Sequence, residues 1–386
     1  MIRLLLPVLL GMAVLAGCSA DAVRDAVDRE PEPVPVSFES NVEAGASDVA
    51  VDTLVELTAT DGTLEDVTVT SEDGEQTLEG EGSDERWVAT DRLEPGTAYV
   101  VRATGVNDDG ETPFEAQFTT VDLSLDEQTY PAVSPIDGET VGVGMPVVVR
   151  FDLPVTDREL FESNMHVRTD ADVEGSWHWY SDNVVHYRPK EYWPAGTDVT
   201  VALDVNSLPA GNGIYGQQDQ EVSFTVGSRV ITTVDTSRHT MTVEKDGQVL
   251  RTMPVSTGRA GKESRNGIKV IMEKFDSVDM DAASTGVSEE DPDYYNLSDV
   301  KWAMRVTNSG EFIHAAPWSV GSQGRANVSA GCVGMSMADA SWLYQNSKRG
   351  DVVVYTNSPR GLETQNGWTD WNVDWETWKA GSALAG

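Results

Sequence analysis

The stretch from Thr240 to Val255 reads TMTVEKDGQVLRTMPV, and it is the clearest structural signal in this 386-residue chain. Apolar residues alternate with polar ones on both sides of the turn-forming tripeptide Lys245-Asp246-Gly247. Alternation predicts strands, and a short turn between two strands predicts an antiparallel hairpin. The same kind of signal recurs along the chain, so the sequence predicts a mainly β protein.

On the N-terminal side of this hairpin, turn signals separate short strand-like segments over two modules, residues 36–121 and 122–227. The turns of the first module are marked by Asp61-Gly62, Asp73-Gly74, Pro95-Gly96 and Asp109-Gly110. Short strands at this spacing are typical of antiparallel β-sandwiches. Neither module carries a recognisable catalytic constellation, so we expect both to be spacers. His178 and His186 of the second module match no metal-ligand spacing, and we expect them to be structural or exposed.

The hairpin itself opens a third module, residues 228–360. Strand-like runs follow it at Lys269–Met272, Phe312–Ala315 and Val352–Tyr355. The apolar spacing of Ala338–Ser347 predicts the one clear helix. The polar stretch Met280–Asp299 lacks such patterns and predicts a long loop or lid.

A tryptophan-rich tail, residues 361–386, ends the chain. Trp368, Trp371, Trp375 and Trp378 follow an i, i+3, i+7, i+10 spacing, which predicts one helical face. Four exposed tryptophans would form an aggregation-prone apolar patch. We therefore expect this tail to dock on the third module.

Charge and cysteine content exclude several classes of protein. The formal net charge is −37, from 27 Lys and Arg against 64 Asp and Glu. A nucleic-acid partner is excluded because phosphate binding needs a basic surface. Only two cysteines are present, which excludes a disulfide framework and a multi-cysteine zinc site. We expect neither a metal nor another cofactor.

The first 17 residues predict an export signal. Arg3 precedes an apolar run from Leu4 to Leu15, which is too short to span a membrane. The run ends in Leu15-Ala16-Gly17-Cys18, which resembles the bacterial lipobox. The resemblance implies cleavage before Cys18, lipidation of its thiol, and anchoring on the extracytoplasmic face of the cell membrane. The alternative is an ordinary cleaved signal peptide with a chance cysteine. Residues 18–35, acidic and rich in proline, predict an extended tether.

The remaining cysteine, Cys332, is the best candidate for chemistry. It lies in SAGCVG, residues Ser329 to Gly334, where flanking glycines allow a sharp turn and close approach of a ligand. A thiol nucleophile needs a base, for which histidine is the usual choice. The third module offers two, His239 and His314, and spacing alone does not choose between them.

At these residues the sequence becomes recognisable. HAAPWSVG from His314 and NVSAGC ending at Cys332 closely resemble the catalytic signature of the L,D-transpeptidases of the YkuD type. The second β module and the tail resemble those of actinobacterial lipoprotein members. The resemblance implies two Ig-like β-sandwich domains, then a β-rich catalytic domain with a short helix and a Trp-rich tail.

The resemblance also implies a mechanism. His314 would take the proton of Cys332, and the thiolate would attack a stem tetrapeptide of peptidoglycan. Backbone amides of Gly331 and Cys332 would hold the oxyanion, and the carbonyl of Ala315 would orient the imidazole. D-Ala would leave, and an amine of a second stem would resolve the thioester into a 3→3 crosslink. The implied substrate-binding residues are Met280, Tyr295, Trp318, Ser329 and Asn327. Carbapenem β-lactams are the implied covalent inhibitors.

Four positions depart from the family pattern. Ala330 replaces a second histidine, Gly334 replaces an asparagine, Arg265 stands where many members have proline, and Thr285 stands where relatives have tyrosine. The nucleophile and its base are both retained, which favours an active enzyme. Two alternatives stay open: an L,D-carboxypeptidase on the same scaffold, and a catalytically impaired peptidoglycan-binding lipoprotein.

Overall fold

The computed structural model describes residues 33–291 and 294–385. The predicted signal peptide, Cys18 and most of the predicted tether lie outside the described residues. The chain divides into a smaller compact unit, built mainly from residues 54–91 and 98–119, and a larger one that includes residues 120–386. Strands dominate both units, which confirms the predicted mainly β fold. In the described part of the chain, no helix is long and apolar enough to cross a membrane.

The smaller unit is a pair of four-stranded sheets, ordered β1-β2-β6-β5 and β4-β3-β7-β8. Its strands are β1 Ser37–Ser40, β2 Glu56–Thr60, β3 Thr63–Ser71, β4 Thr77–Leu78, β5 Gly80–Ser83, β6 Arg86–Ala89, β7 Ala98–Asn107 and β8 Gly110–Thr119. All these pairings are antiparallel. Alternate residues point inwards, as on β7, where Tyr99 and Val101 are fully buried.

The larger unit begins with a second sandwich. Its strands are β9 Gln128–Thr129, β10 Pro131–Ser134, β11 Thr140–Val141, β12 Val147–Phe151, β13 Met165–Thr169, β14 Gly175–Ser181, β15 Val184–Pro189, β16 Asp198–Leu203, β17 Pro209–Gly211, β18 Ile214–Gly216 and β19 Gln220–Val226. The two main sheets are ordered β10-β12-β15-β14 and β11-β19-β16-β13. A short helix, α1 Arg158–Ser163, and a 3-10 turn at Leu125–Glu127 complete this part. Trp177, Trp179 and Trp193 fill its core.

Two further sheets hold the predicted catalytic module. The strands are β20 Val230–Asp235, β21 Thr240–Lys245, β22 Gln248–Pro254, β23 Gly267–Val270, β24 Glu273–Asp281, β25 Asn296–Arg305, β26 Phe312–Ala315, β27 Val333–Met335 and β28 Val352–Thr356. They form the sheets β22-β21-β20-β28-β23 and β24-β25-β26-β27. The hairpin of β21 and β22 has its turn at Asp246, with φ of 51°.

The predicted helix is α2 Met337–Gln345. Ser336 caps it, because its hydroxyl accepts a hydrogen bond from the amide of Asp339. The helix buries Ala340 and Leu343 against the apolar core shared by the two catalytic sheets.

The predicted loop over Met280–Asp299 is only partly correct. β24 runs to Asp281 and β25 starts at Asn296, and Met280 pairs with Leu297. Only the tip between them lies outside strands, with a 3-10 turn at Ala282–Thr285. The strands β24 and β25 form a hairpin whose outer face is mostly exposed, while Met280 and Val300 are buried on its inner face. The exposed face accounts for the polar sequence that led to the prediction of a loop.

The predicted single helical face of the tail is wrong. Trp371 lies in a 3-10 turn, Asp370–Asn372, while Trp375 and Trp378 lie in a separate short helix, α3 Trp375–Lys379. Asp374 caps α3, and its carboxylate accepts a hydrogen bond from the amide of Thr377. A new helix therefore begins at the third tryptophan, Trp375.

The tail docks on the catalytic module and on the second sandwich. The rings of Trp371, Trp375 and Trp378 surround the guanidinium of Arg188 on β15, with centroids 4.9, 5.3 and 4.7 Å from its Cζ. Asn372 adds a link to the catalytic module by accepting a hydrogen bond from the amide of Ile268 at 2.8 Å. Tryptophan rings attract a guanidinium, which explains why the three rings of the tail pack around Arg188.

Candidate active site

Parallel pairing of two short strands brings the candidate base and nucleophile together. β26 pairs with β27 in the register Ile313–Val333 and His314–Gly334, and Cys332 immediately precedes β27. Both side chains open into one cavity of about 350 Å³. The cavity is lined by Ser256, Arg259, Met280, Tyr294, Tyr295, Leu297, His314, Ala316, Trp318, Ser319, Val328, Ser329, Ala330, Cys332 and Gly334. The structure thus selects His314, and not His239, as the histidine beside Cys332.

The loop before Cys332 is held by hydroxyl groups. Gly331 has φ of 131°, a conformation that side-chain-bearing residues rarely adopt. Ser329 Oγ donates to the carbonyl of Cys332 at 2.6 Å and accepts from the amide of Gly331 at 3.2 Å. Ser264 Oγ donates to the carbonyl of Gly331 at 2.5 Å. The Gly331 amide is therefore engaged by Ser329, and the oxyanion roles of the Gly331 and Cys332 amides stay predictions.

His314 has the orientation of a general base. Its Nδ1 lies 2.8 Å from the carbonyl oxygen of Ala315, as the resemblance implied. A carbonyl oxygen only accepts hydrogen bonds, so we assign the imidazole proton to Nδ1, which leaves Nε2 free to take a proton. Burial lowers the pKa of His314, which keeps the ring neutral at neutral pH. The ring stacks on Trp318 with centroids 5.9 Å apart.

Cys332 is a buried thiol in the described structure, with 9% of its surface exposed. Burial raises the pKa of Cys332 to about 11, while the backbone amide of Phe312 lowers it. Its Sγ lies 3.6 Å from the carbonyl oxygen of Gly310. The resting thiol is therefore protonated at neutral pH, and it needs a base to become a nucleophile.

The predicted substrate-binding residues separate into two groups. Met280, Tyr295, Trp318 and Ser329 line the cavity. Asn327 is not among the residues that line the cavity, and its contact with substrate stays a prediction. Its amide side chain instead ties loops together: Oδ1 accepts from the amide of Thr257 at 3.1 Å, and Nδ2 donates to the carbonyl of Thr236 at 2.9 Å.

Asn327 also contacts His239, the other histidine of the catalytic module. His239 Nδ1 lies 2.8 Å from Asn327 Oδ1, and the residue has φ of 57°. The ring of His239 is therefore half-buried and held in a contact between loops.

Sequence reasoning missed Arg259, which lines the cavity. Its Nη1 donates to the carbonyl of Ser329 at 3.2 Å. No local pattern marks it, because its role depends on a contact with a residue 70 positions further along the chain.

Two departures from the family signature, Ala330 and Gly334, lie at the cavity wall. A Cβ added at Gly334 would lie 2.9 Å from the Cβ of Ala316 and 3.4 Å from Ser319 Oγ. The asparagine of the family pattern therefore does not fit here without a shift of Ala316. Within residues 33–291 and 294–385, no group of three or more His, Cys, Asp and Glu residues could hold a metal ion.

A buried cysteine–histidine pair in a cavity between β strands defines the chain as a candidate cysteine acyltransferase. Comparison with known proteins agrees with that class. Residues 229–354 match the L,D-transpeptidase catalytic domain, and residues 46–209 match the bacterial Ig domain. These matches confirm the predicted order, Ig-like fold first and YkuD-type domain second.

Two named relatives match this chain over most of its length. L,D-transpeptidase 2 of Mycobacterium tuberculosis is 37% identical over 349 residues, which cover 90% of this chain and 85% of the relative. L,D-transpeptidase 5 of the same species is 35% identical over 384 residues, covering 96% and 82%. An LD transpeptidase solved in complex with imipenem is 37% identical with a TM-score of 0.52, covering 60% of this chain and 99% of that one. The chain belongs to the L,D-transpeptidase family.

Proposed function

We propose that this L,D-transpeptidase forms 3→3 crosslinks in peptidoglycan through a thioester on Cys332. One observation carries the proposal: His314 and Cys332 share a cavity at the paired ends of two parallel strands. His314 is neutral and oriented by Ala315, and Cys332 is the free thiol beside it. This arrangement supports proton transfer from sulfur to imidazole followed by attack on a carbonyl.

The reaction proceeds in two balanced halves. In the first, Sγ bonds to the carbonyl carbon of the third stem residue, the peptide bond to D-Ala breaks, and the imidazolium of His314 protonates the leaving amine. In the second, His314 takes a proton from the amine of a second stem, whose nitrogen bonds to the carbonyl carbon while the bond from that carbon to Sγ breaks. The imidazolium of His314 then returns its proton to Sγ, which regenerates the thiol. No ATP is consumed, because the thioester conserves the free energy of the cleaved peptide bond.

The test is incubation of the purified chain with disaccharide tetrapeptide, followed by mass analysis of the products. A crosslinked dimer with release of one D-Ala per crosslink supports transpeptidation. A tripeptide without dimer would make the chain an L,D-carboxypeptidase, in which water replaces the acceptor amine. If neither product forms, the chain is a binding protein. A Cys332→Ala variant is the matched control and is expected to give no product.

β-Lactams of the carbapenem type are the proposed covalent inhibitors. One relative is solved in complex with imipenem. Another, L,D-transpeptidase 3 of Mycobacterium tuberculosis, is solved with a faropenem-derived adduct, with 32% identity and a TM-score of 0.50. In this chain a strained lactam carbonyl would take the place of the donor peptide bond at Cys332.

The same proposal includes an envelope location, with the chain anchored through Cys18 on the extracytoplasmic face of the cell membrane. Leu15-Ala16-Gly17-Cys18 supports it, since small residues before the cysteine suit lipoprotein processing. Acyl chains add about 0.8 kcal/mol of membrane affinity per buried CH₂. Labelled palmitate should enter the wild-type chain and not a Cys18→Ala variant. Mature, unmodified wild-type protein with a free Cys18 would contradict the anchor.

A further inference from the structure

Three charged side chains form a cluster beneath the catalytic cavity. Lys269 on β23 is fully buried, and its ammonium forms an ion pair with Glu311 Oε2. Glu311 Oε1 accepts hydrogen bonds from the backbone amide and from Nη1 of Arg265, both at 3.0 Å. We call Arg265, Lys269 and Glu311 the buried charge cluster. The three side chains have a formal charge of +1, which falls to zero when Glu363, the half-exposed ion-pair partner of Arg265, is included.

The buried charge cluster contacts the nucleophile loop from two directions. Glu311 follows Gly310, whose carbonyl oxygen lies 3.6 Å from the Sγ of Cys332. A Cβ added at Gly331 would lie 3.6 Å from Glu311 Oε1. Ser264, next to Arg265, donates its hydroxyl to the carbonyl of Gly331. The cluster is therefore close enough to the thiol for its charges to act on it.

Burying a lysine is costly, and apolar residues of similar volume often stabilise a core as well as a buried ion pair does. Burial lowers the pKa of Lys269 to about 8, although the neighbouring Glu311 carboxylate raises it. At neutral pH the ammonium is still mostly protonated. Stability alone gives no reason for this choice of residues, which directs attention to the adjacent thiol.

The charges of the cluster have opposite effects on Cys332. Glu311 raises the pKa of Cys332 and Lys269 lowers it. Without Lys269, the carboxylate of Glu311 would oppose formation of the thiolate with only Arg265 to compensate.

We propose that Lys269 is a positioning residue for the reaction: its buried ammonium offsets Glu311 and supports the negative charge that Cys332 Sγ acquires when His314 takes its proton. This inference rests on the proposed function, in which Cys332 is the nucleophile. It also gives Arg265, one of the departures from the family pattern, a role as the second cation that holds Glu311.

Other titratable groups around the thiol do not replace Lys269. From the cavity side, His314, Tyr295 and Arg259 line the same space as Cys332. From behind, Tyr355 packs its ring 3.5 Å from the Lys269 ammonium. Burial raises the pKa of Tyr355, so its hydroxyl stays neutral. Arg259 donates to the Ser329 carbonyl, so the cations paired directly with Glu311 are Lys269 and Arg265, and Arg265 also pairs with Glu363.

The experiment is a pH titration of Cys332 alkylation by iodoacetamide in the full chain. Lys269→Met should raise the midpoint by about one pKa unit or more, a tenfold smaller thiolate fraction at neutral pH. Lys269→Met/Glu311→Gln, which removes the opposing carboxylate as well, should return the midpoint towards the wild-type value. A merely structural role would not produce this reversal.

Lys274→Met is the matched control for loss of a partly buried lysine. Lys274 bonds to the carbonyls of Tyr344 and Ser347 and does not line the cavity. It should leave the alkylation midpoint unchanged. The inference is overturned if folded Lys269→Met has the wild-type alkylation midpoint. It is also overturned if the midpoint of the double variant equals that of Lys269→Met. Absence of carbapenem acylation in the wild type would instead contradict the proposed function, while the alkylation titration would still report on Lys269.

Discussion

Trp378→Ala is expected to destabilise the larger unit strongly. Trp378 is fully buried, and its indole donates to the carbonyl of Ser176 at 2.9 Å. Its ring stacks on His178 with centroids 4.6 Å apart and lies 4.7 Å from the Arg188 guanidinium. Removing the ring would leave a cavity, an unpaired carbonyl and a less shielded cation in the same place.

The expected loss is about 3–5 kcal/mol, the usual range for truncating a fully buried large aromatic side chain. Urea unfolding of the full chain, followed by far-UV circular dichroism, measures it as a lower midpoint with an unchanged slope. Trp375→Ala is the matched control on the same short helix. Trp375 is only half-buried and donates to Glu174 Oε1 at 3.1 Å, so its loss should cost about 1 kcal/mol. Equal midpoints for the two variants would refute the assignment of tail docking to Trp378.

Three further outcomes follow from the site and its surroundings. His314→Ala should slow carbapenem acylation by about 10²–10⁴-fold, while His239→Ala should leave the rate within a small factor, as measured by intact mass over time. Burial raises the pKa of Asp351 to about 7, so the folded state holds a proton that the unfolded state releases. This stability is fully present below the ordinary pKa of 3.8 and is lost as pH rises from there to about 7, so Asp351→Asn should exceed wild-type stability in urea at neutral and alkaline pH but not at acidic pH. Ala330→His, which restores the family residue at the cavity wall, should raise the acylation rate only severalfold, because His314 remains the base.

Local patterns were sufficient for most of the fold. The hairpin of β21 and β22 and the strand Phe312–Ala315 follow directly from alternation and turn residues. The pairing of His314 with Cys332 followed from the family signature rather than from physics, because spacing alone left His239 as an alternative. Parallel pairing of β26 with β27 is the missing physical fact, and no local pattern encodes it.

Long-range partners account for what the sequence did not predict. Lys269 and Glu311 are 42 positions apart, and no local pattern marks either of them before the fold buries them together. The tail illustrates the same limit, because the helical spacing of its tryptophans gave no sign of Arg188, which stands 183 positions before Trp371. Asn327 lies within the family signature, yet its side chain forms hydrogen bonds with the loops around His239.

The most direct test of the account is intact-mass analysis of the chain after exposure to a carbapenem. The wild type should gain the mass of one drug molecule, and peptide mapping should place it on Cys332. Cys332→Ala, with the same fold by circular dichroism, should gain nothing. An unmodified wild type, or an adduct that persists in Cys332→Ala, would contradict the claim that Cys332 is the nucleophile.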